Sequence, residues 1–460
     1  KPPAMRLRAL LCTGIVCAAT SLAQATPPPK PPAALSLPVE QYQLDNGLTV
    51  LLSEDHRLPV VATEIRYLVG SAHERSGRSG FAHLFEHLMF QGSKHFDDEY
   101  FKPFEPIGGN ANGTTTQDRT NFFERVPSNY LDLTLWMESD RMHHLLPALT
   151  QDRLDNQRDV VKNERRQRYE NPPYGMAWIY LTESLYPESH PYGHSVIGSH
   201  ADLTAASLDD VKGFFRDYYG PANAVVTIVG DFRPAEAKAL VKKYFGGAEG
   251  SPVKRAAAPV ASMPKLESVV HVTKTDDVKL PRIYLAWHTP AIFAAGDAEL
   301  DLLSSILTSG KTSRLYKPLV YDKKVAKDVE AFQVSMQLSS FYVVQATAAP
   351  GKTLKELETA LMDALKKALA TPPSDDEMKR AVNGYKKDFY QRVEGAVSRA
   401  TTLSTYYHST GKGDFMKQDL ARYTGATPQG VHSAAQRWLD LTRHVRIDIV
   451  KGPKAGGAQK

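Results

Sequence analysis

Two histidines four residues apart, His83 and His87, enclose a glutamate, Glu86, in the segment Ser79–Phe90 (SGFAHLFEHLMF). Apolar residues at 81, 84, 85 and 88 recur with helical spacing. The two imidazoles therefore project from one helix face, one turn apart. So placed, both can reach a single Zn²⁺ at roughly 2.0–2.1 Å. Glu86 sits beside the pair, where it can take a proton from a water held at the ion. The same spacing also suits two histidines at a solvated or core edge, so a third donor is the discriminating requirement. A catalytic zinc takes three protein ligands and keeps one position open. Residues 152–169 (DRLDNQRDVVKNERRQRY) read as a second helix, with Glu164 among basic neighbours and 77 positions beyond His87. Brought beside the histidines, Glu164 completes a His₂Glu set; left in solvent, it is an ordinary i,i+4 partner for a cation.

The elements that must position these groups follow from the rest of the chain. Its 460 residues suggest two or three domains at roughly 150 residues each. With 42% hydrophobic and 23% charged residues, the composition is that of a soluble chain with a real core, which excludes a polytopic membrane protein and a disordered one. The net charge of +5 comes from 56 basic and 51 acidic residues without long like-charged runs, which argues against nucleic-acid binding. At the N-terminus, Arg6 and Arg8, the apolar run Ala9–Ala19 and Ala23-Gln24-Ala25 have the parts of a secretory signal peptide, assigned to residues 1–25. Export to a bacterial periplasm is the simplest destination. Both cysteines, Cys12 and Cys17, fall inside this segment, so the remainder is expected to have no disulfide or thiol chemistry. Residues 26–40 form a proline-rich leader. Residues 41–247 are read as an N-terminal zinc-binding domain, 248–265 as an Ala/Pro/Gly/Ser-rich linker, and 266–455 as a second domain. Each half closes with a helix leading into a strand, Asp209–Tyr219 into Ala224–Val229 and Gln429–Leu439 into His444–Val450. That repetition suggests duplication of one unit and an α+β class with helices covering two sheets.

The run Gly70-Ser71-Ala72-His73-Glu74, then Gly80-Phe81-Ala82-His83-Leu84-Phe85-Glu86-His87-Leu88-Met89-Phe90-Gln91-Gly92, resembles the signature of the pitrilysin-type zinc metallopeptidases. These have the His-x-x-Glu-His order of the inverzincins. Glu164 stands at the spacing of their third ligand. The resemblance continues through Gly108–Thr115, Asp118-Arg119-Thr120, His190-Pro191-Tyr192-Gly193-His194 with Gly198, and Gly230-Asp231. It weakens in the second half to Thr312-Ser313-Arg314-Leu315-Tyr316. It implies two homologous domains, each a mostly antiparallel sheet backed by helices, together forming half of a clam-shell peptidase. It also implies one Zn²⁺ per chain on His83, His87 and Glu164, with Glu86 as general base for hydrolysis of extended or unfolded peptides. Substrate would add as a strand along Asn112-Gly113-Thr114-Thr115, which otherwise read as an ordinary edge strand and turn.

Two departures from the family pattern bear on function. Many members have a further Glu two helical turns before the ligand Glu; here that position is Gln157, which keeps a hydrogen-bonding role but not the charge. Active members also take an Arg and a Tyr from the half opposite the zinc to hold substrate and oxyanion. Between Gln333 and Lys352 this chain has Tyr342 but no arginine. A dimer is therefore expected, with a homologous subunit lacking the zinc motif as the partner that supplies the pair. The contrasting expectation is a non-catalytic assembly or scaffold subunit of the same fold. The histidines His73, His95, His143 and His144 are read as structural or surface residues, and His190 and His194 as shaping their loop.

Overall fold

The computed structural model describes residues 37–247 and 257–453. The expected signal peptide, most of the proline-rich leader and residues 248–256 of the expected linker lie outside the described residues. In the first half the chain runs through strands β1 (Glu40–Gln43), β2 (Thr49–Glu54) and β3 (Val60–Tyr67), helix α1 (Phe81–Leu88), strands β4 (Asn110–Thr115) and β5 (Thr120–Pro127), helices α2 (Leu131–His144), α3 (Gln151–Arg165), α4 (Ala177–Leu185), α5 (His200–Ala205) and α6 (Leu208–Tyr218), strand β6 (Ala224–Gly230) and helix α7 (Pro234–Phe245). The second half has β7 (Val270–Asp276), β8 (Arg282–Thr289), α8 (Asp297–Thr308), β9 (Ala326–Val334), β10 (Ser340–Ala348), α9 (Leu354–Leu369), α10 (Asp375–Glu394), α11 (Ala396–Thr410), α12 (Met416–Thr424), α13 (Pro428–Trp438) and β11 (Val445–Lys451). Among the described residues no helix is long and apolar enough to cross a membrane.

The sheets share one topology. The first has the order β1-β2-β6-β3-β5-β4 and the second β7-β11-β8-β10-β9. In each half the closing strand inserts between two earlier strands, parallel to one and antiparallel to the other: β6 between β2 and β3, β11 between β7 and β8. Every other pairing is antiparallel. Apart from β1, the halves match strand for strand, the α+β duplication that the helix-to-strand endings suggested.

One face of each sheet carries its own half's helices. Val61, Ile65 and Tyr67 of β3 join Phe85 of α1, Leu135 of α2 and Phe215 of α6 in the first core. Phe85 is 1% exposed and lies 4.2 Å, centroid to centroid, from Tyr219; truncating such a phenylalanine to alanine costs about 3–5 kcal/mol. The opposite faces are covered by exchange. Helix α4, from the first half, packs Ala177, Leu181 and Leu185 onto Tyr284, Val343 and Ile447 of the second sheet. Helix α11, from the second half, lies on the first sheet, where Thr401 Oγ1 donates to Glu64 Oε2 at 2.5 Å, Arg66 donates to Thr401 O at 3.1 Å, and Thr227 and Ser404 hydroxyls meet at 3.0 Å.

Candidate active site

Helix α1 begins at Gly80, whose backbone has φ 90°, a left-handed conformation that favours glycine. A Cβ there would stand 2.8 Å from Gly198 Cα, so two glycines let the start of α1 meet the loop before α5. The buried Glu74 closes the helix end: its carboxylate accepts from Gly80 N at 2.9 Å and Ala82 N at 2.7 Å. This supplies acceptors to amides that the first turn leaves unpaired. His194 donates to the same carboxylate at 2.9 Å. Glu74 and His194 are thus positioning residues that the sequence displayed, in GSAHE and HPYGH, without revealing that they meet. Their 120-residue separation hides the pair from any local pattern.

Facing α1 is α3, which brings Glu164 to the histidines. Glu164 Oε2 lies 3.1 Å from His87 Nε2 and 3.7 Å from His83 Nε2. Its other oxygen accepts from Arg168 at 2.9 Å, which leaves Oε2 directed inward. Gln157 Oε1 lies 3.3 Å from His87 Nδ1. With Nδ1 donating there, the Nε2 lone pair of His87 faces a carboxylate oxygen, two acceptors pointed at one another. A cation bound between them would satisfy both atoms. The donor atoms of His83, His87 and Glu164 all lie within 4.8 Å of one another, and two imidazoles with one carboxylate suit zinc. The residues present therefore fit the ion.

The electrostatics agree with this donor set. Burial, with repulsion from His87 and Arg168 added, pushes the His83 imidazole down to about 4, so it is neutral at neutral pH, as a ligand must be. Burial works to raise the Glu164 carboxyl, but the two imidazoles and Arg168 outweigh it and hold the group below its ordinary value. Glu86 is 8% exposed; burial raises its carboxyl, opposed by the Thr115 hydroxyl, which donates to Oε2 at 2.5 Å.

These groups open on a cavity of about 620 Å³ whose wall includes Asn112, Gly113, Thr114 and Thr115 of β4. β4 is the edge of its sheet, paired only with β5. Asn112 and Thr114 are exposed, whereas Gly113 is buried against Phe122 and Phe90, where a Cβ would meet the rings at 3.0–3.1 Å. Arg119 braces the strand by donating to Thr114 O at 2.6 Å and Asn121 Oδ1 at 2.7 Å. Neither Arg119 nor the direct Thr115–Glu86 contact was apparent from residue types. Tyr342 stands apart from the site: it is fully buried in the second core, its hydroxyl 3.1 Å from Ser304. Arg314 is also structural, donating to Glu377 and to the carbonyls of Ala368, Thr371 and Pro372.

Comparison with known proteins gives the same family as the motif. Residues 49–187 match the family described as "Insulinase (Peptidase family M16)" and residues 205–385 match the "Peptidase M16 inactive domain". The zinc protease PqqE of Helicobacter pylori is 31% identical over 390 residues, 83% of this chain and 86% of that protein. A crystal structure of a protease from Helicobacter pylori superposes with a TM-score of 0.84 at 27% identity, covering 90% of this chain and all of that one. The periplasmic protease PqqL of Escherichia coli shares the fold, with a TM-score of 0.75 at 18% identity; 91% of this chain covers 48% of that chain. The chain belongs to the M16 peptidase family.

Proposed function

We propose that this chain is an exported zinc metalloendopeptidase acting on extended or unfolded peptides. The observation that carries the reading is the convergence of His83, His87 and Glu164, with His87 Nε2 and Glu164 Oε2 3.1 Å apart, in a cavity that also holds the carboxylate of Glu86. His83, His87 and Glu164 would hold a zinc ion, which when bound would polarise the scissile carbonyl and lower the pKa of water. Glu86 receives the proton of the attacking water and passes it to the leaving amine. Thr115 holds Glu86 in place through its hydroxyl, and Gln157 holds the His87 ring. The exposed edge of β4 accepts the peptide as an added strand, which selects extended backbone before side chains. Export rests on the basic and apolar pattern of residues 5–25, and a periplasmic location is also that of the fold neighbour PqqL.

Glu86→Gln keeps the size and removes the base. Hydrolysis of a mixed peptide pool should fall by about 10²-fold or more, while zinc content by atomic absorption is unchanged. Equal hydrolysis by both proteins would exclude Glu86 as the base.

A partner completes the site in this reading, because no arginine of Gln333–Lys352 is present to serve and Tyr342 is committed to the core. That the chain covers about half of PqqL fits a unit that works with a second half. The partner is a homologous subunit without the zinc motif, and the isolated chain should be inactive until that subunit is added. A fully active homodimer in light scattering with parallel assay would refute the heterodimer. The second reading, a non-catalytic subunit, draws on the match of 205–385 to an inactive domain. It predicts no hydrolysis with any partner and no effect of Glu86→Gln.

A further inference from the structure

Among the described residues, two groups of three metal-ligating side chains converge to within 4.8 Å. One is His83, His87 and Glu164. The other, His95, Asp140 and His144, is assigned no role by the peptidase reading. We propose that His95, Asp140 and His144 form a second site for a divalent ion of the zinc class, one that clamps the loop after α1 onto α2.

The local geometry resembles that of the first site. Asp140 and His144 are four apart on α2, so their side chains share a face one turn apart, and the third donor comes from a different element. The Asp140 carboxylate is 4% exposed and its two oxygens are differentiated. Oδ2 accepts from the Ser93 hydroxyl and from His95 N at 3.2 Å, which orients the group as an outer hydrogen bond orients a metal ligand. Oδ1 accepts from His95 Nδ1 at 2.5 Å, a hydrogen bond whose proton a bound ion would replace. The His144 ring meets His95 edge-on, centroids 4.7 Å apart. Two imidazoles and one carboxylate on an open surface make a three-donor set that selects Zn²⁺, Co²⁺ or Ni²⁺ over Mg²⁺ or Ca²⁺.

The clamp has a consequence for the cavity. The loop leaves at Phe90 and returns to it: Tyr100 N donates to Phe90 O at 3.3 Å, and Phe101 stacks on Phe90 at 4.8 Å. Phe90 and Phe101 both line the cavity wall. An ion on His95 therefore ties the segment that carries Phe101 to the rigid helix α2.

The test is equilibrium dialysis of the full chain against micromolar Zn²⁺, followed by atomic absorption, with far-UV circular dichroism on every variant. Wild type should retain about two ions per chain, and both His95→Ala and His83→Ala/His87→Ala about one, because metal affinity depends on each donor. Adding His95→Ala or His144→Ala to the latter should leave none. His95 is half-exposed, so its replacement spares the core. Should the folded His83→Ala/His87→Ala chain retain no zinc, the cluster is a hydrogen-bonded pin and the proposal fails. Should wild type hold one ion that only His95→Ala removes, the second site stands and the active-site assignment fails instead.

Discussion

Gln157 is the residue that most distinguishes this site. Its amide oxygen takes the place where a carboxylate would accept the His87 Nδ1–H, so the ring is oriented without a negative charge to raise its basicity. Removing such an outer partner usually costs about 10–100-fold in metal affinity. Gln157→Ala should therefore weaken zinc binding by that factor in a chelator competition, and Gln157→Glu should tighten it. If Gln157→Ala binds zinc like wild type, the 3.3 Å contact orients nothing. Tyr342 is the contrasting case: a residue type that could serve an oxyanion turns out to fill a core beside Ser304.

At the level of elements, side chains close the ends of two helices, α1 from elsewhere in the chain and α10 from its own first turn. Glu74 and His194 fix the start of α1, and Ser374 with Glu377 forms a reciprocal cap on α10. The hydrogen bonds from Arg314, with the cap added, hold the Glu377 carboxyl at about 2 against an ordinary 4.5. A carboxyl depressed in the fold stabilises fully above the unfolded value and loses that contribution as pH falls through the folded one. The contribution of Glu377 is thus complete above about pH 4.5 and fades towards pH 2. Arg314→Gln should raise the pH of acid unfolding monitored by circular dichroism. An unchanged midpoint would show that the pair contributes nothing. The strand β4 is built for another role, as an edge that Arg119 braces and Gly113 thins to fit the aromatic wall.

The whole molecule is held together by the exchange of α4 and α11. Arg399 of α11 is buried, donating to Asp55 Oδ2 at 2.9 Å and to Val393 O at 2.6 Å, and Glu64 is fully buried beneath Thr401. Residues 37–247 made alone would uncover Glu64, Arg66 and Thr227 on one sheet face and leave Ala177, Leu181 and Leu185 of α4 bare. That fragment should melt without a sharp transition and bind a hydrophobic dye, whereas residues 37–453 should unfold in one step. A sharp, independent transition for the fragment would mean that the exchange is not needed for folding.

Local geometry was legible from residue types. The i,i+4 pairing of His83 and His87 needs only one helical turn, and the apolar positions 81, 84, 85 and 88 specify that turn. The helix over Leu354–Leu369 and the closing strands after Asn223 and His444 follow from the same short-range periodicity. Contacts between elements were not legible in this way. Glu164 has ordinary helical neighbours, and only the packing of α3 against α1 makes it a donor beside two imidazoles. The alternating polar residues of β3 give no sign that a helix more than three hundred residues later will cover them. His95 and His144, read as structural or surface residues, gave no local sign that the fold sets both beside Asp140. Periodicity reports the turn a residue belongs to, whereas a convergent site depends on long-range burial that no window of sequence contains.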